Sequence, residues 1–145
     1  RRKTVELSEN EKPKVFWQVW WDPIMTTGSK TFLNSVISTG GGRNIFSDKE
    51  GWISVGKETV ISRNPDVYCI PPHSGRTVKE VKNDTTGFEE LSAVKNDRVY
   101  SVPKDVFSRP GPRLVDAVRL MAYLLHPGEF AKPDLSYASV PDVAE

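Results

Sequence analysis

The stretch PKDVFSRPGPR places an acid, an aromatic ring and a base at alternate positions, namely Asp105, Phe107 and Arg109. Three prolines restrict this loop before it binds anything, so less conformational entropy is lost when it closes on a ligand. The ring supplies contact area and the two charges supply orientation. The spacing therefore predicts one wall of a pocket for a large, flat ligand with polar edges. An ion pair between Asp105 and Arg109 within the loop is the alternative.

A second candidate segment, WWDPIMTTG, follows an apolar run near the start of the chain. Trp20 and Trp21 offer two rings beside the carboxylate of Asp22, again combining contact area with charge. Successive side chains of a strand point to opposite faces, so at least one of the two rings is expected to enter the core. The segment is a second candidate wall of the same pocket.

The third candidate segment, PPHSGR, contains His73. No second His, Cys or carboxylate lies at metal-ligand spacing from His73, which favours a loop histidine over a metal ligand. The sequence also lacks the Gly-x-Ser-x-Gly, His-Glu-x-x-His, Cys-x-x-Cys and Walker patterns. The glycines of TGGGRN follow a predicted helix and indicate a helix stop and turn, not a phosphate loop. These features favour binding over catalysis.

The elements that must position these segments alternate along the chain. Apolar runs predict buried strands at 15–21 and 66–70, and RVYSVP after the Asn96-Asp97 turn predicts a third strand at 98–103. Helices are predicted from a cap at Ser29 to the glycines at 40–42, over 56–64, over 77–83, and from Pro112 to His126. This alternation predicts the α/β class, as a three-layer α/β/α Rossmann-like lobe with a mostly parallel sheet. Its strands would bring all three candidate segments to one edge.

Composition limits the partners. The 145 residues, 37% of them hydrophobic, suffice for one domain. The net charge of +1 gives no electrostatic footprint for nucleic acid or an anionic membrane. Cys69 is the single cysteine, so no internal disulfide is expected. No apolar stretch approaches the roughly 20 residues of a membrane span, and RRKTVELSENEKPK has no signal-peptide core, which indicates a cytosolic protein or part of a larger one.

Four motifs occur in a specific order: WWDP with MTTG, then GGRNIF, then EGWISVGKETVISRNPDV, then LSAVKNDRVYSVPKDVFSRPGPRLVDAVRLMAYLLHP. This order resembles the C-terminal lobe of the class III periplasmic binding proteins, which capture vitamin B12, ferric siderophores or haem for ABC importers. The resemblance covers about 14–130. It implies that 1–13 are a linker or the tail of an inter-lobe helix, and that 131–145 are an irregular tail. It also implies an N-terminal lobe and an export signal or anchor outside this chain.

The resemblance assigns ligand contacts to two segments of this lobe. Trp52 matches the cleft tryptophan that packs on the ligand. Asp105 and Arg109 match polar cleft residues of the B12-binding members, with Phe107 between them.

Two further roles follow from the same resemblance. Trp20, Trp21, Asp22 and Pro23 match the loop that borders the cleft. Glu58, six residues beyond Trp52, matches the acid that pairs with arginines of the membrane permease. A carboxylate in the first turn of a helix is also favoured by the helix dipole, whatever its function.

The resemblance thus implies an extracytoplasmic, membrane-associated substrate-binding component of an ABC importer, with no intrinsic cofactor. Its ligand would be cobalamin or a ferric siderophore, with haem possible, and Asp105 and Arg109 favour a corrinoid. Its partners would be the permease and ATPase complex and the missing lobe. Two alternatives stay open: a chelatase-like α/β enzyme using His73, and a cell-surface sensory or binding module without transport.

Overall fold

A computed structural model describes residues 12–72, 74–103, 114–126, 130 and 132–133. In chain order its elements are β1 (Lys14–Trp17), β2 (Met25–Thr27), α1 (Phe32–Thr39), β3 (Arg43–Asn44), β4 (Trp52–Ser54), α2 (Lys57–Arg63), β5 (Val67–Ile70), α3 (Val78–Lys82), a 3₁₀ turn (Phe88–Glu90), α4 (Ser92–Lys95), β6 (Val99–Ser101) and α5 (Leu114–Leu125). None of the helices in these ranges combines the length and the apolar character that crossing a membrane requires.

The central sheet is parallel, with the strand order β3-β1-β5-β6. The register pairs Phe16 of β1 with Tyr68 of β5, and Cys69 of β5 with Tyr100 of β6. A separate antiparallel pair, β2 and β4, lies beyond the carboxyl end of β1, with Thr27 opposite Trp52. The parallel sheet with intervening helices confirms the predicted fold class.

The sheet has a core on each face, because neighbouring strand residues point in opposite directions. One core packs α1 and α5 on the sheet and includes Val15, Trp17, Val67, Cys69, Tyr100, Leu120 and Leu124. The other packs α2, α3 and the 3₁₀ turn on it and includes Phe16, Tyr68, Val60, Val81, Phe88 and Val99. Helices therefore cover both faces of the sheet, which gives the three predicted layers.

Several predicted boundaries are wrong, each for a local reason. The first strand ends at Trp17, not at residue 21, because the chain turns at Gln18 and Trp20 forms an antiparallel bridge with Met25. The cap of α1 is Thr31, not Ser29: Thr31 Oγ1 accepts a hydrogen bond from the Asn34 amide at 3.1 Å. The glycine turn after α1 leads directly into β3, which pairs with β1 and was not predicted.

Candidate ligand-binding site

Gln18 organises the edge of the sheet where β1 and β5 end. Its side chain is fully buried, and its Nε2 lies 3.1 Å from Ser74 Oγ and 3.0 Å from the carbonyl oxygen of Arg76. The Tyr68 hydroxyl donates to Gln18 Oε1 at 2.8 Å. Burial raises the pKa of Tyr68, so its hydroxyl stays protonated and keeps donating. These bonds fix the loop after β5 against the end of β1.

Gln18 is a residue that the sequence analysis missed. It stands among apolar residues in VFWQVWW, a run that as a whole predicts one buried strand. A buried polar side chain must find hydrogen-bond partners, so a lone amide within such a run is the signal that could have identified it.

Trp20 and Trp52 form an exposed aromatic surface. They are 43% and 56% exposed, respectively. Trp20 opposes Met25, and Met25 opposes Ser54, which is two residues from Trp52 on β4. Directly opposed residues share a face, and so do residues two apart on a strand, so the two rings lie on the same face of the β2–β4 pair. Two large rings open to solvent on one face are available for contact with a flat partner.

Trp21 points away from Trp20 and is half-buried. The Arg76 guanidinium carbon lies 4.0 Å from the centroid of the Trp21 ring, which is cation–π distance. Phe88 meets the same ring edge-on at 5.4 Å between centroids. The neighbouring Asp22 is exposed, with a φ of 63° in the left-handed region. The expectation of one inward and one outward ring holds, although neither residue lies in a regular strand.

Asp84 forms salt bridges with two basic residues beside Trp21. Its carboxylate accepts from Lys57 Nζ at 2.8 Å, from Arg76 Nη2 at 2.5 Å and from the Thr86 amide at 2.7 Å. The Asp84 side chain is only 3% exposed. Burial opposes its ionisation, but the hydrogen bonds from Lys57, Thr86 and Arg76 outweigh burial and hold the pKa of Asp84 well below its usual range.

The lowered pKa of Asp84 makes the folding stability of the protein depend on pH. Because its pKa is lowered by folding, ionised Asp84 stabilises the protein above the unfolded-state pKa of about 3.9, and this contribution disappears as the pH falls towards the folded-state pKa. We expect Asp84→Asn to lower the free energy of unfolding at pH 7, and the gap to wild type to shrink below about pH 4. Urea unfolding at several pH values measures this gap, and a gap independent of pH would contradict the assignment.

Two open grooves flank this cluster at the carboxyl edge of the sheet. One, of about 720 Å³, is lined by residues that include Trp21, Lys57, Arg76 and Asp84. The other, of about 580 Å³, runs along the ends of β5 and β6 past Pro71 and Ser101. Within the described ranges no group of three or more His, Cys, Asp or Glu residues could hold a metal ion. Aromatic and charged side chains thus line open grooves at this edge of the sheet.

The structure brings together part of the predicted site. Trp20, Trp21 and Asp22 follow β1, and Trp52 begins β4, which pairs with β2 beside them. Glu58 is exposed in the first turn of α2.

The remaining predicted residues are Asp105, Phe107, Arg109 and His73. All four lie outside the described residues. Their proposed roles stay predictions.

Comparison with known proteins identifies the family. The periplasmic binding protein family matches residues 3–106 of the chain. An uncharacterised ABC transporter substrate-binding lipoprotein of Bacillus subtilis (strain 168) is 35% identical over 131 residues, covering 90% of this chain and 41% of the relative. The vitamin B12-binding protein of Vibrio cholerae serotype O1 is 32% identical over 114 residues, covering 78% of this chain and 40% of the relative.

Solved structures agree with the sequence relatives. A possible iron-binding (periplasmic solute-binding) protein of Staphylococcus epidermidis ATCC 12228 superposes with a TM-score of 0.74 at 32% identity, covering 86% of this chain and 48% of that one. The periplasmic vitamin B12 binding protein of Vibrio cholerae gives a TM-score of 0.70 at 29% identity, covering 88% and 48%. The chain spans about 40% of the length of the two sequence relatives. It belongs to the periplasmic binding protein family.

Proposed function

We propose that this chain is the ligand-binding C-terminal lobe of an ABC importer's substrate-binding protein, and that its ligand is a metal chelate of the corrinoid or iron-siderophore class. The observation that carries the proposal is the pair of exposed rings, Trp20 and Trp52, on one face beside the carboxyl edge of the sheet. Open α/β sheets bind ligands at that edge. Two relatives are vitamin B12-binding and possible iron-binding proteins, which supports the ligand class.

The lobe binds and presents its ligand without converting it. A corrin or siderophore offers a broad surface with polar edges, which aromatic rings cover and a few charges orient. Asp105, Phe107 and Arg109 would supply further contacts along one wall of the cleft, as the family resemblance implies. The protein would act outside the cytoplasmic membrane and deliver the chelate to a permease and ATPase complex.

Calorimetric titration of the full-length protein tests this function. The ligands are cyanocobalamin, a ferric hydroxamate and haemin, each titrated separately. Tight binding of one ligand at a one-to-one ratio supports the proposal and identifies the chelate. Binding of none of the three contradicts the proposed ligand class.

Glu58 is proposed to dock the protein on its permease. Its carboxylate is exposed at the start of α2, where charge can steer the encounter with permease arginines. We expect Glu58→Gln to slow uptake about tenfold, equivalent to roughly 1.4 kcal/mol, with ligand affinity retained. Uptake of labelled ligand by proteoliposomes containing the permease and ATPase measures the effect.

Glu90→Gln is the matched control for docking. Glu90 is an exposed acid on the 3₁₀ turn, paired with Lys95 at 3.5 Å. Uptake with this variant should equal that of wild type. Equal uptake with Glu58→Gln and wild type would contradict the docking role.

A further inference from the structure

The buried carboxylate of Asp84 joins segments that are separate in sequence. Lys57 begins α2 and Arg76 lies in the loop after β5, whereas Thr86 belongs to the same turn as Asp84, before the 3₁₀ turn. All three donate hydrogen bonds to Asp84. Lys57 also donates to Thr86 Oγ1, which closes the group. Asp84 is therefore the point where these three segments meet.

The two basic side chains that pair with Asp84 also contact the Trp21 ring. Arg76 lies 4.0 Å from the ring centroid, and the Lys57 ammonium lies 6.0 Å from it. Both cations also approach Phe88, at 5.6 and 5.0 Å. Arg76 Nη1 is buried without a hydrogen-bond acceptor among the described residues, so the aromatic faces are its main compensation. The position of the indole thus depends on where Asp84 holds Arg76.

The backbone beside Arg76 also fits closely against Trp21. Gly75 has a φ of +94°, and a Cβ there would stand 3.0 Å from the Trp21 amide nitrogen and 3.1 Å from its carbonyl oxygen. Only glycine allows this approach and this backbone conformation without strain. The Gly75–Arg76 segment therefore packs directly against the Trp21 backbone.

The same carboxylate reaches the first turn of α2. Lys57 is the residue immediately before Glu58, and its ion pair with Asp84 is mostly shielded from solvent, with side-chain exposures of 28% and 3%. Trp21 and Glu58 are thus anchored to one group.

We propose that Asp84 is a positioning residue that holds the Trp21 ring and the Glu58-bearing first turn of α2 in a fixed relation. It thereby couples the Trp21–Asp22 loop, which borders the proposed ligand surface, to the permease-docking surface. This role rests on the proposed function for its biological meaning, but the positioning itself is a property of the lobe.

Nuclear magnetic resonance of ¹⁵N-labelled indoles in the full-length protein tests the positioning directly. Trp21→Phe and Trp17→Phe assign the two relevant signals. In Asp84→Ala we expect the Trp21 indole signal to shift and its hydrogen exchange to accelerate at least tenfold. The signal of Trp17, which is buried in the core on the other face, should not change. An unchanged Trp21 signal would overturn the proposal.

Asp48→Ala is the matched control. Asp48 pairs with Arg63 at the opposite end of α2, with contacts of 2.6 and 3.2 Å. This variant also removes an ion pair to α2 but should leave the Trp21 indole signal unchanged. An equal shift of Trp21 in both variants would show a general loosening of α2 and would overturn the specific role of Asp84.

A second variant decides the question if Asp84→Ala does not fold. Arg76→Lys keeps a positive charge for Asp84 but removes the planar guanidinium that stacks on the indole. We expect its Trp21 signal to shift with the Trp17 signal intact. An unchanged Trp21 signal would overturn the proposal.

Cyanocobalamin titration of the full-length variants adds the functional readout. We expect Asp84→Ala to weaken binding about tenfold and Asp48→Ala to stay within twofold of wild type. If wild type binds none of cyanocobalamin, the ferric hydroxamate or haemin, the proposed function fails, and the indole signals still decide the role of Asp84.

Discussion

Replacement of Trp52 by alanine is expected to weaken ligand binding by about 30-fold, the effect of losing roughly 2 kcal/mol at an aromatic contact that becomes buried on binding. The ring is 56% exposed in the lobe, so more than half of its surface is available to be covered by a ligand. Its contribution to binding comes from the area that a ligand would cover. Because the rest of the residue is buried, the free energy of unfolding should also fall, by less than for a fully buried tryptophan.

The measurement is the Kd of the full-length protein for the chelate that calorimetry identifies. Val115→Ala is the control, because Val115 on α5 is 54% exposed and its truncation also removes exposed apolar surface. That variant should bind like wild type. Wild-type affinity in Trp52→Ala would show that β4 is not part of the binding surface.

The central layers could be predicted because their signals are local. The apolar runs VFW and VYCI contain most of β1 and all of β5, β6 begins with Val99 and Tyr100, and α2 ends, as expected, just before Pro65. Each of these signals depends on residues adjacent in sequence or within one helical turn. The alternation of strands and helices then implied the parallel sheet.

The short strands could not be predicted in this way. In β3 there are two residues, Arg43 and Asn44, and their pairing with β1 is the only feature that makes them a strand. The strands β2 and β4 have three residues each and are paired across an intervening helix and turn. Hydrogen bonds between distant segments define these elements, and no local periodicity records them.

Some residues of the candidate site could likewise be predicted from the sequence, and others could not. The rings of Trp20 and Trp52 could be named from residue type and family resemblance, whereas Asp84 stands in KNDTTG, a stretch typical of a solvated turn. Its partner Lys57 is 27 positions away in the sequence. Burial of a charge is set by tertiary contacts, so the sequence offered no reason to single out Asp84.

Gly28 packs against the segment that precedes Trp52. Its replacement by alanine is the second change for which we expect a large effect. A Cβ at this position would lie 2.2 Å from the carbonyl oxygen of Lys49 and 2.8 Å from the Lys49 carbonyl carbon. Both atoms belong to the backbone, so the conflict cannot be relieved by a side-chain rotation. The segment just before Trp52 would have to move.

That movement would break the bonds that hold the segment in place. Gly28 donates to the Gly51 carbonyl at 2.7 Å, Ser29 donates to the Lys49 carbonyl at 2.6 Å, and Gly51 donates back to Ser29 at 2.9 Å. We expect Gly28→Ala to lower the free energy of unfolding by about 3 kcal/mol, the upper range for steric overpacking. The β4 strand begins at the next residue, Trp52, so ligand affinity should fall as well.

Urea unfolding and ligand titration of the same variant separate these two effects, with Gly56→Ala as the control. A Cβ at Gly56, the cap of α2, would have Thr59 Oγ1 at 3.9 Å as its nearest neighbour, so this variant adds the same methyl group without a clash. It should lose less than about 1 kcal/mol, the scale of an altered helix cap.

Equal stability losses in the two variants would mean that the contact between Gly28 and Lys49 does not constrain the chain. A destabilised Gly28→Ala protein with wild-type affinity would instead show that Trp52 reaches its ligand independently of the segment that precedes it.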